Sequence, residues 1–229
     1  MARQPLTEML LDMLFPPRCV GCKRRGGWIC GRCRDGLPVV PGDGCPICGD
    51  PRGDGAVCFR CRHDPPEFDS LRGAFLYEGT MQQAIRQLKY RGSWQLARPL
   101  ALRALAVIGP VGPPDLIVPV PLHPNRLAQR GYNQSALLAR TIGQVVGVPV
   151  AEERLRRIKD TRAQVLLTGP RRWDNVRDAF EASPGRLDGV SVLLVDDVAT
   201  TGSTLRAAAA ALKHAGATRV EALVIARAV

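Results

Sequence analysis

The chain has 229 residues, 45% of them hydrophobic, enough apolar material for one ordinary globular core with a small module beside it. No run reaches the roughly 18–20 apolar residues of a membrane-spanning helix, and the polar start MARQPLTEML lacks the apolar core of a secretory leader, so a cytoplasmic protein is expected. The net charge of +11 favours phosphate-bearing partners, small ligands or nucleic acid, and the excess sits late: residues 1–68 carry ten Lys/Arg against eight Asp/Glu, residues 69–229 twenty-two against thirteen.

In chain order, residues 5–15 place Leu6, Met9, Leu10, Met13 and Leu14 on one helical face, the pattern of a short helix docking through an apolar stripe. All eight cysteines follow, as four CxxC pairs: Cys19/Cys22, Cys30/Cys33, Cys45/Cys48 and Cys58/Cys61. A CxxC turn converges two thiolates on one ion, and two such turns complete the tetrahedral four-thiolate shell that Zn²⁺ prefers. A disulfide framework would suit an exported protein, so two structural zinc ions are the better reading. Sequential pairing makes two ribbons, 19–33 and 45–61; interleaved pairing is equally compatible with the spacing. His63, just past Cys61, is an alternative ligand that a complete set of eight cysteines does not need. With every coordination position filled by protein, the ions fold a segment too short for a core and leave no place for catalytic water. Eight thiolates around two Zn²⁺ add a net −4, which would bring the loaded chain to about +7.

From residue 69 short apolar runs alternate with helical patterns, the signature of βα units and a mostly parallel sheet with helices on both faces. The strands are expected at 71–77, 115–120, 148–152, 190–195 and 219–226, and the helices at 80–90, 94–108, 133–146 and 203–215. The organisation is thus a module over 1–66 and an α/β domain over 67–229. The segment between the second strand and the third helix contains Arg126 and Arg130, candidate anion contacts at a strand's carboxyl end, where ligands of open α/β sheets bind. Asn133 and Gln134 suit either the site or a helix cap, and His123 either local bonding or catalysis. The stretch 154–172 carries Arg154, Arg156, Arg157, Lys159, Arg162, Arg171 and Arg172 against one acid, Asp160, a solvated face or a surface for diphosphate or a DNA backbone.

VSVLLVDDVATTGSTLRAAAAAL (190–212) carries the most chemistry. A buried strand delivers Asp196 and Asp197 to its end, and Ala199, Thr200, Thr201, Gly202, Ser203 and Thr204 then open a helix. Small residues expose backbone N–H groups and hydroxyls, and the helix N-terminus adds its positive dipole end, so a phosphate fits the loop. The paired acids would repel that phosphate unless they faced something else, and ribose hydroxyls with Mg²⁺ are suitable. Together they describe a phosphorylated sugar.

VLLVDDVATTGST resembles the phosphoribosyl-diphosphate (PRPP) motif of type I phosphoribosyltransferases. The resemblance implies a Rossmann-type sheet, ribose contacts from Asp196 and Asp197, a 5′-phosphate enclosed by residues 199–204, and Mg²⁺ with the ligand. Thr200 stands where some purine-salvage relatives place an Asp, which weakens a purine-salvage reading. No residue stands out as general base. PVPLHPNRLAQRGYNQSALLAR (119–140), QLKYRG (87–92), the spaced Arg162/Gln164 and RRWDNVRDAF (171–180), together with the cysteine module, resemble the ComF competence family over nearly the whole chain. That resemblance implies a double zinc ribbon on a phosphoribosyltransferase-like domain and a role in natural transformation, with single-stranded DNA a partner and Lys159, Arg162 and Arg172 candidate contacts to diphosphate or DNA. An active transferase acting on a nitrogen nucleophile and a PRPP-sensing adaptor for other competence proteins are the competing readings. Aromatic residues are only 5% of the chain, so DNA binding would be mainly electrostatic.

Overall fold

The computed structural model describes residues 16–109, 113–160, 178–183 and 187–229. The expected helix at 5–15 and the residues Arg162, Gln164, Arg171 and Arg172 lie outside these ranges.

Short helices α1 (Gly31–Asp35) and α2 (Phe59–His63) belong to the cysteine module. The larger part follows as β1 (Ser70–Leu76), α3 (Gly79–Tyr90), α4 (Ala97–Ile108), β2 (Leu116–Pro119), α5 (Pro124–Arg130), α6 (Gln134–Val146), β3 (Leu155–Arg157), β4 (Phe180–Ala182), β5 (Ser191–Ala199), α7 (Ser203–His214) and β6 (Arg219–Arg227). The main sheet is parallel, in the order β1-β6-β5-β2. A parallel sheet needs cover on both faces, and the side-chain alternation of β5 supplies it. Val192 and Leu194 pack with Leu205, Ala208 and Leu212 of α7. Leu193 and Val195 point to the other face, among Ile85 and Leu88 of α3, Leu100 and Ala104 of α4, and Leu138 and Ile142 of α6.

Four expectations shift in detail. Residues 148–152 contribute a single parallel bridge, Val150 to Ile117, rather than a strand. The helix expected from 94 begins as a 3-10 turn, Trp94–Leu96, and becomes α-helical at Ala97, which puts Pro99 in the first turn, where a missing N–H is harmless. Helix α5 occupies what the sequence suggested as loop. The basic stretch supplies β3, which pairs antiparallel with β4.

The cysteine module is built onto the sheet. Val39 bridges antiparallel to Phe75, Val40 N–H donates to Ala74 O at 3.0 Å, and Leu76 N–H donates to Pro38 O at 2.8 Å, so residues 38–40 cover the edge of β1. Further along β1, Leu71 N–H donates to Ile47 O at 2.7 Å, inside the third CxxC turn. A β-carbon on Gly49 would stand 2.4 Å from Leu71 O, so only glycine lets that turn approach the strand.

Candidate functional site

The thiols fall into two sets, Cys19, Cys22, Cys30, Cys33 and Cys45, Cys48, Cys58, Cys61, with the ligand atoms of each set all within 4.8 Å of one another. Pairing is therefore sequential. The Sγ atoms of Cys22 and Cys30 are 3.5 Å apart and those of Cys48 and Cys58 3.7 Å, near the tetrahedron edge expected for Zn–S bonds of about 2.3 Å. The sets repeat one design: Cys30 N–H points at Cys19 Sγ and Cys58 N–H at Cys45 Sγ, both at 3.4 Å, and Cys30 and Cys58 each start a short helix. Burial pushes the Cys19 and Cys45 thiols up, but backbone N–H groups outweigh it and bring both down to about 6. Each cluster thus has one thiol predisposed to ionise. His63 stacks on Phe59, ring centroids 4.0 Å apart, and does not join the ligand set. The donor sets fit two structural Zn²⁺ ions with no open coordination position.

The second constellation stands at the carboxyl end of β5. Asp196 and Asp197 are 8% and 2% exposed. Ser135 Oγ, in the first turn of α6, donates to Asp196 Oδ1 at 2.7 Å, and Asp197 N–H donates to the same oxygen at 2.9 Å. Lys89, near the end of α3, places Nζ 2.9 Å from Asp197 Oδ1. Burial and the charge of Asp197 push the Asp196 carboxyl up to about 7, against Lys89 and the two hydrogen bonds. Burial alone would lower the Lys89 ammonium; Asp197 and Asp196 more than offset it, so the net shift is upward. Asp197 Oδ2 is buried and has no hydrogen-bond partner among the described residues. A buried carboxylate oxygen left in that state costs roughly 1–3 kcal/mol or more, so the site is built for a guest that supplies a donor or a cation.

The loop beyond the acids is shaped for an anion. Gly202 takes φ 79°, the left-handed region, and α7 starts at Ser203 without a side-chain cap. Thr201 Oγ1 and Ser203 Oγ lie 2.8 Å apart. Arg227 Nη1 holds the loop from behind by donating to Thr200 O at 2.6 Å.

Other residues singled out from the sequence divide. Arg130 donates to Gln134 Oε1 and lies over the Tyr90 ring at 5.4 Å, and Gln134 Nε2 reaches Ser135 Oγ at 3.5 Å, so Arg130 joins the polar chain leading to Asp196. Arg126 lies 3.6 Å from Asp160, and Lys159 3.9 Å from Asp178. Asn133 Oδ1 accepts from Ser135 N–H at 3.1 Å and caps α6, and His123 Nδ1 accepts from Asn125 N–H at 3.3 Å and caps α5. Arg157 of β3 is half-buried; desolvation and Arg126 lower its pKa, while Asp196 and Asp160 pull the other way. Lys89 and Ser135 carry no role in the sequence reading. Lys89 was visible only inside QLKYRG, and a serine at the start of a helix gives no signal of its own.

Comparison with known proteins follows the same division. A double zinc ribbon domain model matches residues 10–62, and a phosphoribosyl transferase domain model matches residues 137–228. Competence protein F of Haemophilus influenzae is 30% identical over 93% of this chain and 98% of its own length. DNA utilization protein YhgH of Salmonella typhi is 33% identical over 77% of this chain and 81% of its own. Competence protein ComFC of Bacillus subtilis is 27% identical over 82% of this chain and 79% of its own. Among solved structures, the allosteric regulatory enzyme of purine biosynthesis matches 56% of this chain at 25% identity with a TM-score of 0.39, and the match spans 25% of that chain.

Proposed function

This chain belongs to the ComF family of competence proteins, and on that footing we propose that it binds PRPP or a related ribose phosphate and handles incoming single-stranded DNA in the cytoplasm during natural transformation. The unpartnered Asp197 Oδ2, followed by a loop that opens α7 without a side-chain cap, is the observation that carries the ligand reading. In this reading residues 1–66 form the zinc module and residues 67–229 the ligand-binding domain. Asp196 and Asp197 take the ribose hydroxyls, and Ala199, Thr200, Thr201, Gly202, Ser203 and Thr204 take the 5′-phosphate through backbone N–H groups and hydroxyls. The acid pair is also a suitable donor set for Mg²⁺, which would supply counter-charge to the diphosphate. Lys89 holds Asp197 in place and sets which of its oxygens stays open.

Calorimetry of the zinc-loaded chain with PRPP and Mg²⁺ tests the ligand. Binding is expected for the wild type, to weaken at least about tenfold in Asp197→Asn, and to be unchanged in Arg140→Ala, whose guanidinium pairs with Glu152 on the surface. No binding by the wild type would refute the ligand reading.

The DNA part rests on family membership and on the positive charge, formally +11 and about +7 once zinc is bound. A labelled single strand is expected to bind with an affinity that falls linearly in log–log fashion with salt. A wild type that captures no strand even at low ionic strength would remove this part and leave PRPP binding standing.

A further inference from the structure

Arg227 closes β6 and is 3% exposed, a rare setting for a guanidinium. It stands between the two constellations. Nη1 donates to Thr200 O in the phosphate loop at 2.6 Å, while its charge is favoured by Cys48 and Asp50 and opposed by Arg60 and Arg52, all in the segment of the second cysteine cluster. A β-carbon on Gly73 of β1 would stand 3.1 Å from Arg227 Cβ, so glycine at 73 is what leaves room beside the arginine stem.

The chain that leaves the same cluster forms the other wall of the loop. One turn into α7, Arg206 donates Nε to Glu67 at 2.8 Å and Nη2 to Asp64 at 2.6 Å and Pro65 O at 3.2 Å. Phe68 is buried, and its ring lies 4.0 Å from where a β-carbon on Gly202 would stand. Cys45, Cys48 and Cys61 share one apolar cluster with Phe68, Ala199 and Leu205. The first cysteine cluster packs elsewhere: a β-carbon on Gly21 would meet Thr80 at 2.9 Å, and Val20 packs in the core that holds Met81 and Ile85 of α3. Among the described residues, the second ribbon is the one that adjoins the loop.

We propose that Arg227 is a positioning residue that couples the second four-cysteine site to the 199–204 loop, so that metal at that site, and not at the first, sets the loop's shape and its affinity for a phosphate ester. The affinity half rests on the ligand reading above. A loaded zinc tetrathiolate centre carries a net charge of −2 beside the guanidinium and fixes the course of the chain from Cys45 to Phe68; loss of the ion releases both constraints.

The test uses the full-length chain in four variants: Arg227→Met, Arg227→Lys, Cys58→Ser in the second cluster and Cys30→Ser at the equivalent place in the first. Zinc content is measured alongside amide hydrogen exchange in the absence of ligand and the Kd for PRPP with Mg²⁺. Arg227→Met and Cys58→Ser are expected to speed exchange across 199–205 and to weaken PRPP, each at least about tenfold, the loss of one buried charge-assisted hydrogen bond. The Lys variant should recover part of both, and Cys30→Ser should leave both within about threefold of wild type, short of that loss. Unchanged exchange in α6 shows that the fold stands; if Arg227→Met loosens α6 too, Arg227→Lys decides. Wild-type exchange across 199–205 in the deciding Arg227 variant, or equal loosening by Cys30→Ser and Cys58→Ser, overturns the coupling. A wild type that binds no PRPP overturns the ligand reading alone, because the exchange measurement still decides the coupling.

Discussion

Two carboxylates, one ammonium and one hydroxyl make the centre of the site, and their unequal burial gives them different work. Asp196 accepts two hydrogen bonds yet is pushed up to about 7, because burial and Asp197 outweigh both bonds and Lys89. The folded chain therefore holds this proton more tightly than the unfolded chain, in which an aspartate titrates near about 3.9. The stability it contributes is fully present below about pH 4 and is lost as pH rises through 7. Asp196→Asn keeps an oxygen for Ser135 and removes the titration. In zinc-loaded, Mg²⁺-free protein its stability advantage over wild type is expected to widen by about 1 kcal/mol between pH 6 and pH 8.5, read as the difference in denaturation midpoints. A constant difference across that range would mean that Asp196 is ionised throughout. At this scale the sequence was legible where the chemistry is contiguous: Asp196, Asp197 and the loop to Thr204 lie in one run. Ser135, 61 residues earlier, was silent because only the packing of α6 on β5 makes it a partner.

Elements were legible in proportion to the apolar face they bury. Helices α3, α4, α6 and α7 each carry a periodic stripe and sit within a residue or a few of their expected ends, and β5 and β6 run through the buried centre, with β1 beside them at the covered edge. Helix α5 has no buried residue and hence no stripe to read; it is fixed locally by the His123 cap, Pro124 at its first position and Gly131 in the left-handed region. The β3–β4 pair was hidden because three-residue strands are too short to alternate. Residues 148–152 read as a strand, yet their role is to press on α6. A β-carbon on Gly143 would meet Val150 Cγ2 at 2.6 Å and Val148 O at 2.7 Å. Gly143→Ala thus sets a helix-propensity gain of about 1 kcal/mol against overpacking of about 1–3 kcal/mol. A backbone carbonyl cannot rotate away as a side chain can, so the clash should win: the melting temperature is expected to fall, with α6 and its Ser135 displaced from Asp196. A higher melting temperature would show that the segment 148–150 gives way freely.

Composition divides the chain at about residue 66, with every cysteine before it, but the packing does not. Residues 38–40 pair with β1, Ile47 accepts from Leu71, and Cys45, Cys48 and Cys61 lie in the apolar cluster that contains Phe68, Val118, Leu194 and Leu205. The module therefore acts as the cover of a sheet edge as well as a metal site. An uncovered parallel edge offers unpaired N–H and C=O groups to any strand that meets it, and here apolar surface would be bared with it. A chain of residues 67–229 alone is expected to self-associate and to bind a hydrophobic dye, and to melt below the zinc-loaded full chain, whereas a cut between independent domains would leave a monomer of unchanged stability. Sedimentation and melting of the two proteins at equal concentration distinguish these outcomes. Adding back residues 1–66 with zinc should restore a single species only if the 38–40 strand can re-pair in trans with β1. Recovery by that route would show that the edge, rather than the linker at 66, is what joins the two parts.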